Sequence, residues 1–219
     1  MASSRLMIAA VTALACLALA GCKFVPTAEK HKTASQNSAQ APDKGFDAKV
    51  AEIWDSKVIP YATTKAGPFV EVRDELARSP EAAGNKYGFR EKAGSSPWTV
   101  LAKVDGRVVA ANTESRAASL DVDADGDGKA DLRIQIGPVF RGTAIRDSLD
   151  FVNFNEFTNQ IDFAQFGKAF NTHVDKTVTS KLDRAGVVGK TVKALVAYPV
   201  PPAGDVPLAV PLAIEAGAP

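Results

Sequence analysis

Leu120-Asp-Val-Asp-Ala-Asp-Gly-Asp-Gly-Lys-Ala-Asp-Leu-Arg-Ile-Gln-Ile136 sets the frame for the whole chain. Leu120 and Val122 lead into it, and Leu132, Ile134 and Ile136 leave it in alternation with Arg133 and Gln135. Successive strand side chains point to opposite faces, so this period of two reads as a half-buried strand. Between the two apolar sets, Asp121 to Asp131 packs five carboxylates and two glycines into eleven residues. The stretch is an acidic loop joining two strands.

The same period extends outward on both sides. Trp98 to Val104 reads as a strand, Asp105-Gly106 as a two-residue hairpin turn, and Arg107 to Asn112 as the returning strand. Ala117 to Val122 then enters the acidic loop. After Ile136, residues 137–155 mix Gly, Pro, Phe and charge and read as a structured loop. Phe163, Phe166, Phe170 and Val174 follow at spacings of three and four, so a helix over about 156–176 has one apolar stripe, capped by Asn153 or Asn155. Val192, Ala194, Val196 and Tyr198 alternate again, as do Leu208, Val210, Leu212 and Ile214. Pro207 and Pro211 cannot donate ladder hydrogen bonds, which places that last strand at an edge.

Upstream the period is helical. Phe46, Val50, Ile53 and Trp54 form one stripe, and Pro60 ends the helix at Ile59. Phe69, Val72 and Leu76 mark a second helix over 69–78. Ser79-Pro80-Glu81 is a helix-start signal for a third, through Lys86. Four strands, a helix and two strands resemble an OB-like arrangement. The expected fold class is α+β: a small OB-like antiparallel β-barrel with an inserted helix (residues 94–219), beside an N-terminal helical segment (residues 46–93).

The first residues carry an address. Arg5 is a short cationic region, Leu6 to Leu19 is apolar, and Leu19-Ala-Gly-Cys22 closes the run. The run is too short for a membrane span and reads, over 1–21, as a secretory signal peptide. The cysteine after Leu-Ala-Gly resembles the bacterial lipobox, which implies that Cys22 becomes the first mature residue and carries acyl chains of the palmitate type. Cys16 is lost with the signal and no third cysteine exists, so the exported fold makes no disulfide. Several acyl chains give stable anchoring. Lys23, rather than Asp, follows the cysteine; by resemblance to lipoprotein sorting this implies the outer membrane. Residues 22–45 are a polar tether, and a flexible chain of about 22 residues spans roughly 25 Å.

Composition excludes some partners. The chain carries 26 Lys and Arg against 25 Asp and Glu. Loss of Arg5 with the signal leaves the mature chain neutral. A neutral chain has no basic excess for phosphate backbones, so nucleic acid is not expected. Apolar residues make up 46%, enough for a true core.

The acidic loop carries the most chemistry. Asp123, Asp125, Asp127 and Asp131 present oxygens at alternate positions, and glycine permits a sharp turn. The EF-hand pattern fails, because position twelve is Ile134 or Leu132 by register and the flanks are strands. The loop looks instead like the short calcium loops of β-propeller repeats, which implies Ca2+ ligands from Asp123, Asp125, Asp127 and Asp131 and the Lys129 carbonyl. The alternative is a solvated acidic turn, since Asp and Gly are ordinary turn residues. A second candidate is the segment holding Arg141, Arg146, Asn155 and Asn159 around several phenylalanines, where a sugar or acidic ligand would find aromatic and polar partners. No Gly-x-Ser-x-Gly, paired-His or Cys–His motif is present. His31 lies in the tether and His173 reads as a surface residue.

Glu52-Ile-Trp-Asp-Ser-Lys-Val-Ile-Pro-Tyr61, Gly84-Asn-Lys-Tyr-Gly88, Asn112-Thr-Glu-Ser-Arg116, Gln135-Ile-Gly-Pro138 and Phe154-Asn-Glu-Phe-Thr-Asn-Gln160 resemble a bacterial family of predicted periplasmic lipoproteins of unknown function. The resemblance implies proteins often encoded beside sugar ABC transporters. The expectation is a lipid-anchored, non-enzymatic accessory or binding module with transporter components as partners. The alternatives are a saccharide-acting enzyme using carboxylates and a structural envelope lipoprotein.

Overall fold

A computed structural model describes residues 45–91 and 96–217. The expected signal peptide (1–21), Cys22 and all of the expected tether (22–45) but Gly45 lie outside the described residues. From Gly45 the chain begins with α1 (Phe46–Ile53), a π-helical turn (Trp54–Val58) and α2 (Ile59–Lys65). Pro60 therefore does not end the helix. The Ile59 N–H bonds back five residues, to the Trp54 carbonyl, and this wider turn takes up the proline. Val50, Trp54, Val58 and Ala62 line up along the joined helices and are all buried.

A short β1 (Gly67–Pro68), α3 (Phe69–Arg78), α4 (Pro80–Tyr87) and β2 (Gly88–Phe89) follow, and the two helices match the helical reading closely. Then comes β3 (Thr99–Asn112), one strand of 14 residues. The hairpin expected at Asp105-Gly106 is absent: Asp105 pairs with Lys193 and Gly106 with Val192 in an unbroken ladder. Glycine is needed here for close approach rather than for a turn. A Cβ on Gly106 would lie 2.4 Å from the Asp123 carbonyl oxygen. Thr99 to Arg107 serves one neighbour, and Arg107 to Asn112 serves another.

The barrel is completed by β4 (Ser119–Asp123), β5 (Leu132–Gln135), β6 (Thr191–Pro199) and β7 (Leu208–Ala216). Neighbours run β3-β4-β5-β7-β6 and back to β3, so five strands close on themselves. The expected antiparallel barrel is mixed, because β5 and β7 pair in parallel through Arg133–Leu208 and Ile134–Ala209. Strand β7 is no free edge. Its Pro211 sits opposite Val196 where the register shifts, so a bulge takes up the missing donor.

Between β5 and β6 run α5 (Ala144–Ser148), a 3-10 turn (Phe154–Glu156) and α6 (Gln160–Thr177). The expected loop over 137–155 thus contains a short helix. Asn159, rather than Asn153 or Asn155, caps α6, accepting from the Asp162 N–H at 2.9 Å. Asn153 caps the 3-10 turn.

Two cores result. The barrel interior holds Val100, Val104, Leu120, Val122, Leu132, Ile134 and Val196, closed by Phe69, Val72 and Leu76 of α3 and Tyr87 of α4. On the outside, Leu101, Ala197, Val210 and Leu212 meet Phe166, Phe170 and Val174 of α6 and the stripe from α1. Each fully buried Leu, Ile or Phe contributes roughly 1.5–3 kcal/mol. His173 is half-buried rather than on the surface, with its ring 4.3 Å from that of Trp54. No helix among the described residues is long and apolar enough to cross a membrane.

Candidate functional sites

The acidic loop folds largely on its own hydrogen bonds. Gly126 (φ 86°) and Gly128 (φ 85°) take the left-handed conformation that favours glycine. Asp123, only 6% exposed, accepts from the Gly126 N–H at 2.7 Å and the Gly128 N–H at 2.8 Å. Asp131 accepts from the Ala124 N–H at 2.8 Å through Oδ2. Asp127 turns aside: its carboxylate accepts from the Lys129 N–H at 2.7 Å and pairs with Lys129 Nζ, and these contacts hold its pKa below the usual carboxylate value.

One oxygen from each of Asp123, Asp125 and Asp131 lies within 4.8 Å of the others. Two ligands of one calcium ion at 2.3–2.6 Å stand no more than about 5 Å apart, so this spacing fits a hard divalent cation. Asp127 and Lys129 stand outside the triplet. The cation that meets it in the structure is Arg73 of α3, whose Nη1 donates to Asp125 at 2.9 Å and Asp131 at 2.7 Å. Sequence reading missed Arg73, since nothing local ties it to a loop 58 residues away.

The four residues of the second candidate segment are not brought together. Arg146 and Arg141 serve different cavities, Asn159 caps α6, and Asn155 is exposed, with its backbone N–H on Asn153 Oδ1. Arg146 is fully engaged. Its Nη2 lies 2.6 Å from Asp147, its Nη1 donates to the Phe163 carbonyl at 2.9 Å, and its guanidinium covers the Phe163 ring at 3.7 Å. It ties α5 to α6 beside a cavity of about 330 Å³.

That cavity lies between the β2–β3 side of the barrel and the segment joining α5 to α6. Phe154, 37% exposed, stands edge-on to Phe163, with centroids 5.3 Å apart. Asp147, Asp150 and Asn153 supply the polar lining on this side. Burial, with the Asp150 charge, pushes the nearby Tyr61 phenol up to about 12, so it stays neutral at ordinary pH. Sequence reading found the phenylalanines and the asparagine but not Asp147 or Asp150. One lies in a five-residue helix and the other in the turn after it, and neither is long enough to carry a periodic signal.

Comparison with known proteins agrees with this architecture. An OB-fold protein of Thermotoga maritima, known from a crystal structure, superposes with a TM-score of 0.61 at 19% identity, covering 81% of this chain and 100% of that one. At that identity the likeness concerns the fold alone. No curated protein matches the chain. Residues 12–215 match the family described as "Predicted periplasmic lipoprotein (DUF2291)". On that match, which takes in most of the chain, it belongs to this family of predicted periplasmic lipoproteins.

Proposed function

We propose that the protein is a lipid-anchored, non-enzymatic binding module that serves sugar uptake through an ABC transporter, held at the outer membrane by acyl chains on Cys22. The observation that carries the binding reading is the cavity beside α5 and α6. An exposed aromatic edge there shares the lining with two carboxylates and an amide. Saccharides need this combination, an apolar face for their C–H groups and planar acceptors for their hydroxyls. The roughly 25 Å reach of the tether lets such a module stand clear of the bilayer.

Isothermal titration with a panel of mono- and disaccharides tests this reading. Binding of at least one sugar, weakened tenfold or more in Phe154→Ala, is the expected result. Mass spectrometry of the recovered sugars separates binding from catalysis. An intact ligand agrees with a module; cleaved or rearranged sugar refutes it in favour of a saccharide-acting enzyme using the carboxylates of this cavity. Fractionation of cells carrying Cys22→Ser should move the protein from the outer membrane to the soluble periplasm.

The acidic loop has a separate role in this proposal. Asp123, Asp125 and Asp131 hold a structural calcium ion in place of the Arg73 contact, with Asp127 and the Lys129 carbonyl as further donors. The oxygen spacing of the triplet supports it. The ion would fasten the β4–β5 turn and takes no part in sugar binding.

A further inference from the structure

A second cavity, of about 300 Å³, opens on the outer face of β4 and β5. Ser119 and Gln135 pair across the two strands, and Arg133 lies two residues along β5 on the same ladder. Asn112 pairs with Ser119 from β3, and Arg141 reaches over from the loop after β5. Val206 and Leu208 make an apolar wall, and no carboxylate lines the cavity.

The two guanidinium groups differ in their freedom. Arg133 grips Asp121 through Nε at 2.6 Å and Nη2 at 2.9 Å, which cancels its charge and leaves Nη1 uncommitted. Arg141 makes no side-chain ion pair or hydrogen bond among the described residues, and its guanidinium is a net positive charge at the rim. Its backbone, in contrast, is fixed. Gln135 is 4% exposed, accepts from the Arg141 N–H at 2.7 Å and donates to the Arg141 carbonyl at 3.2 Å. A buried amide thus holds both backbone polar groups of the residue that presents the free charge.

We infer that this cavity binds a phosphate group, with Arg141 as the main anchor, Arg133 Nη1 as a second donor, and Asn112, Ser119 and Gln135 around them. Guanidinium groups recognise phosphate oxygens with paired, charge-assisted hydrogen bonds. The wall of Val206 and Leu208 leaves room for a small organic group on the phosphate. The position also fits the fold: the second and third strands of an OB barrel, with its first and last connecting loops, form the face that takes ligands in other OB proteins. A chain with 26 Lys and Arg against 25 Asp and Glu, and a small cavity with one unpaired guanidinium beside one already paired, suits a single phosphate group rather than a polymer. The site is separate from the sugar cavity and stands or falls independently of it.

The test is titration of the protein with inorganic phosphate at constant ionic strength, followed by calorimetry and by amide chemical shifts. Saturable binding with shifts at Ser119, Gln135 and Arg141 is expected. Arg141→Ala should weaken it about tenfold or more, the loss of one charge-assisted pair, while the melting temperature without phosphate stays unchanged because the guanidinium has no partner. Anionic phosphatidylglycerol vesicles form a second arm. Binding to vesicles that is lost in Arg141→Ala identifies a lipid phosphate as the source; binding to free phosphate alone identifies a soluble one. The proposal is overturned if the parent protein binds neither, if acetate binds as tightly as phosphate, or if Arg141→Ala binds as the parent does. Phe154→Ala should leave phosphate binding intact.

Discussion

Gly106→Ala is the sharpest test of how this barrel closes. The added Cβ would meet the Asp123 carbonyl oxygen at 2.4 Å, Val122 Cγ1 at 2.8 Å and the Ala124 Cα at 3.0 Å. Two of these neighbours are backbone, and both belong to the segment where β4 enters the acidic loop. Nothing there is a flexible chain end, so β3 and β4 must part. Overpacking of a tight site costs about 1–3 kcal/mol. For a domain of this size each kcal/mol lowers the melting temperature by roughly 2–4 °C, so a fall of about 2–12 °C is expected in calorimetry. Asp105→Ala is the control: its carboxylate makes only an exposed pair with Lys193 at 3.6 Å, and the change should stay within about 0.5 kcal/mol. Gly106→Asn separates the two readings of this dipeptide. A hairpin turn with positive φ would accept Asn more readily than Ala, whereas the crowded strand crossing rejects the larger side chain more strongly. A Gly106→Ala protein that melts with the parent, or a Gly106→Asn protein more stable than Gly106→Ala, would refute the close-approach argument.

Three further outcomes are expected. Burial against Trp54 lowers the His173 pKa, with Asp55 and Asp47 opposing the shift; a lowered folded pKa means that the stability is present above the unfolded value of about 6.5 and lost as pH falls below it. The melting temperature of the parent should therefore drop more between pH 7 and pH 5 than that of His173→Phe, and parallel curves would contradict this. The calcium proposal requires a higher melting temperature in calcium than in chelator, about 2.7 kcal/mol at one hundred times the dissociation constant, and Asp131→Asn should erase the difference; identical melts in the parent would leave Arg73 as the loop's cation. Asn159→Ala removes the cap of α6 and should cost about 1 kcal/mol in urea denaturation, while an unchanged midpoint would show that the cap is idle.

What the sequence conveyed well was periodic. Leu132, Ile134 and Ile136, the alternation in β6 and the phenylalanine stripe of α6 each state which face is buried, and the barrel with its inserted helix follows from them. The errors fall where one residue type has two physical uses. Asp-Gly supplies a tight turn in a hairpin, but in β3 glycine supplies room for a crossing backbone. Proline ends a helix unless a wider turn precedes it, as at Pro60, and it ends a ladder unless a bulge faces it, as at Pro211. Which use applies depends on a partner strand or turn that local sequence does not contain. Closure through the parallel β5–β7 pair was illegible for the same reason, since its partners lie more than seventy residues apart.

The acidic loop shows why site chemistry is harder to read than fold. Five carboxylates in eleven residues look like uncompensated charge, and charge invites a metal. In the folded loop, however, the N–H groups of Ala124, Gly126, Gly128 and Lys129 point at Asp131, Asp123 and Asp127, so much of that charge is solvated by the turn that carries it. Asp121 pairs with Arg133, and Asp125 and Asp131 meet Arg73 on α3, the helix that closes the barrel interior with Phe69, Val72 and Leu76. On the calcium proposal, Arg73 and calcium would be rivals for Asp125 and Asp131. With Arg73 in place the loop clasps α3 onto the end of the barrel; calcium, if bound as proposed, would fasten the β4–β5 turn and free α3 of that clasp. A divalent ion at this loop would thus act on how firmly the helical layer is held, a consequence that follows from one long-range guanidinium contact and from no motif in the loop itself.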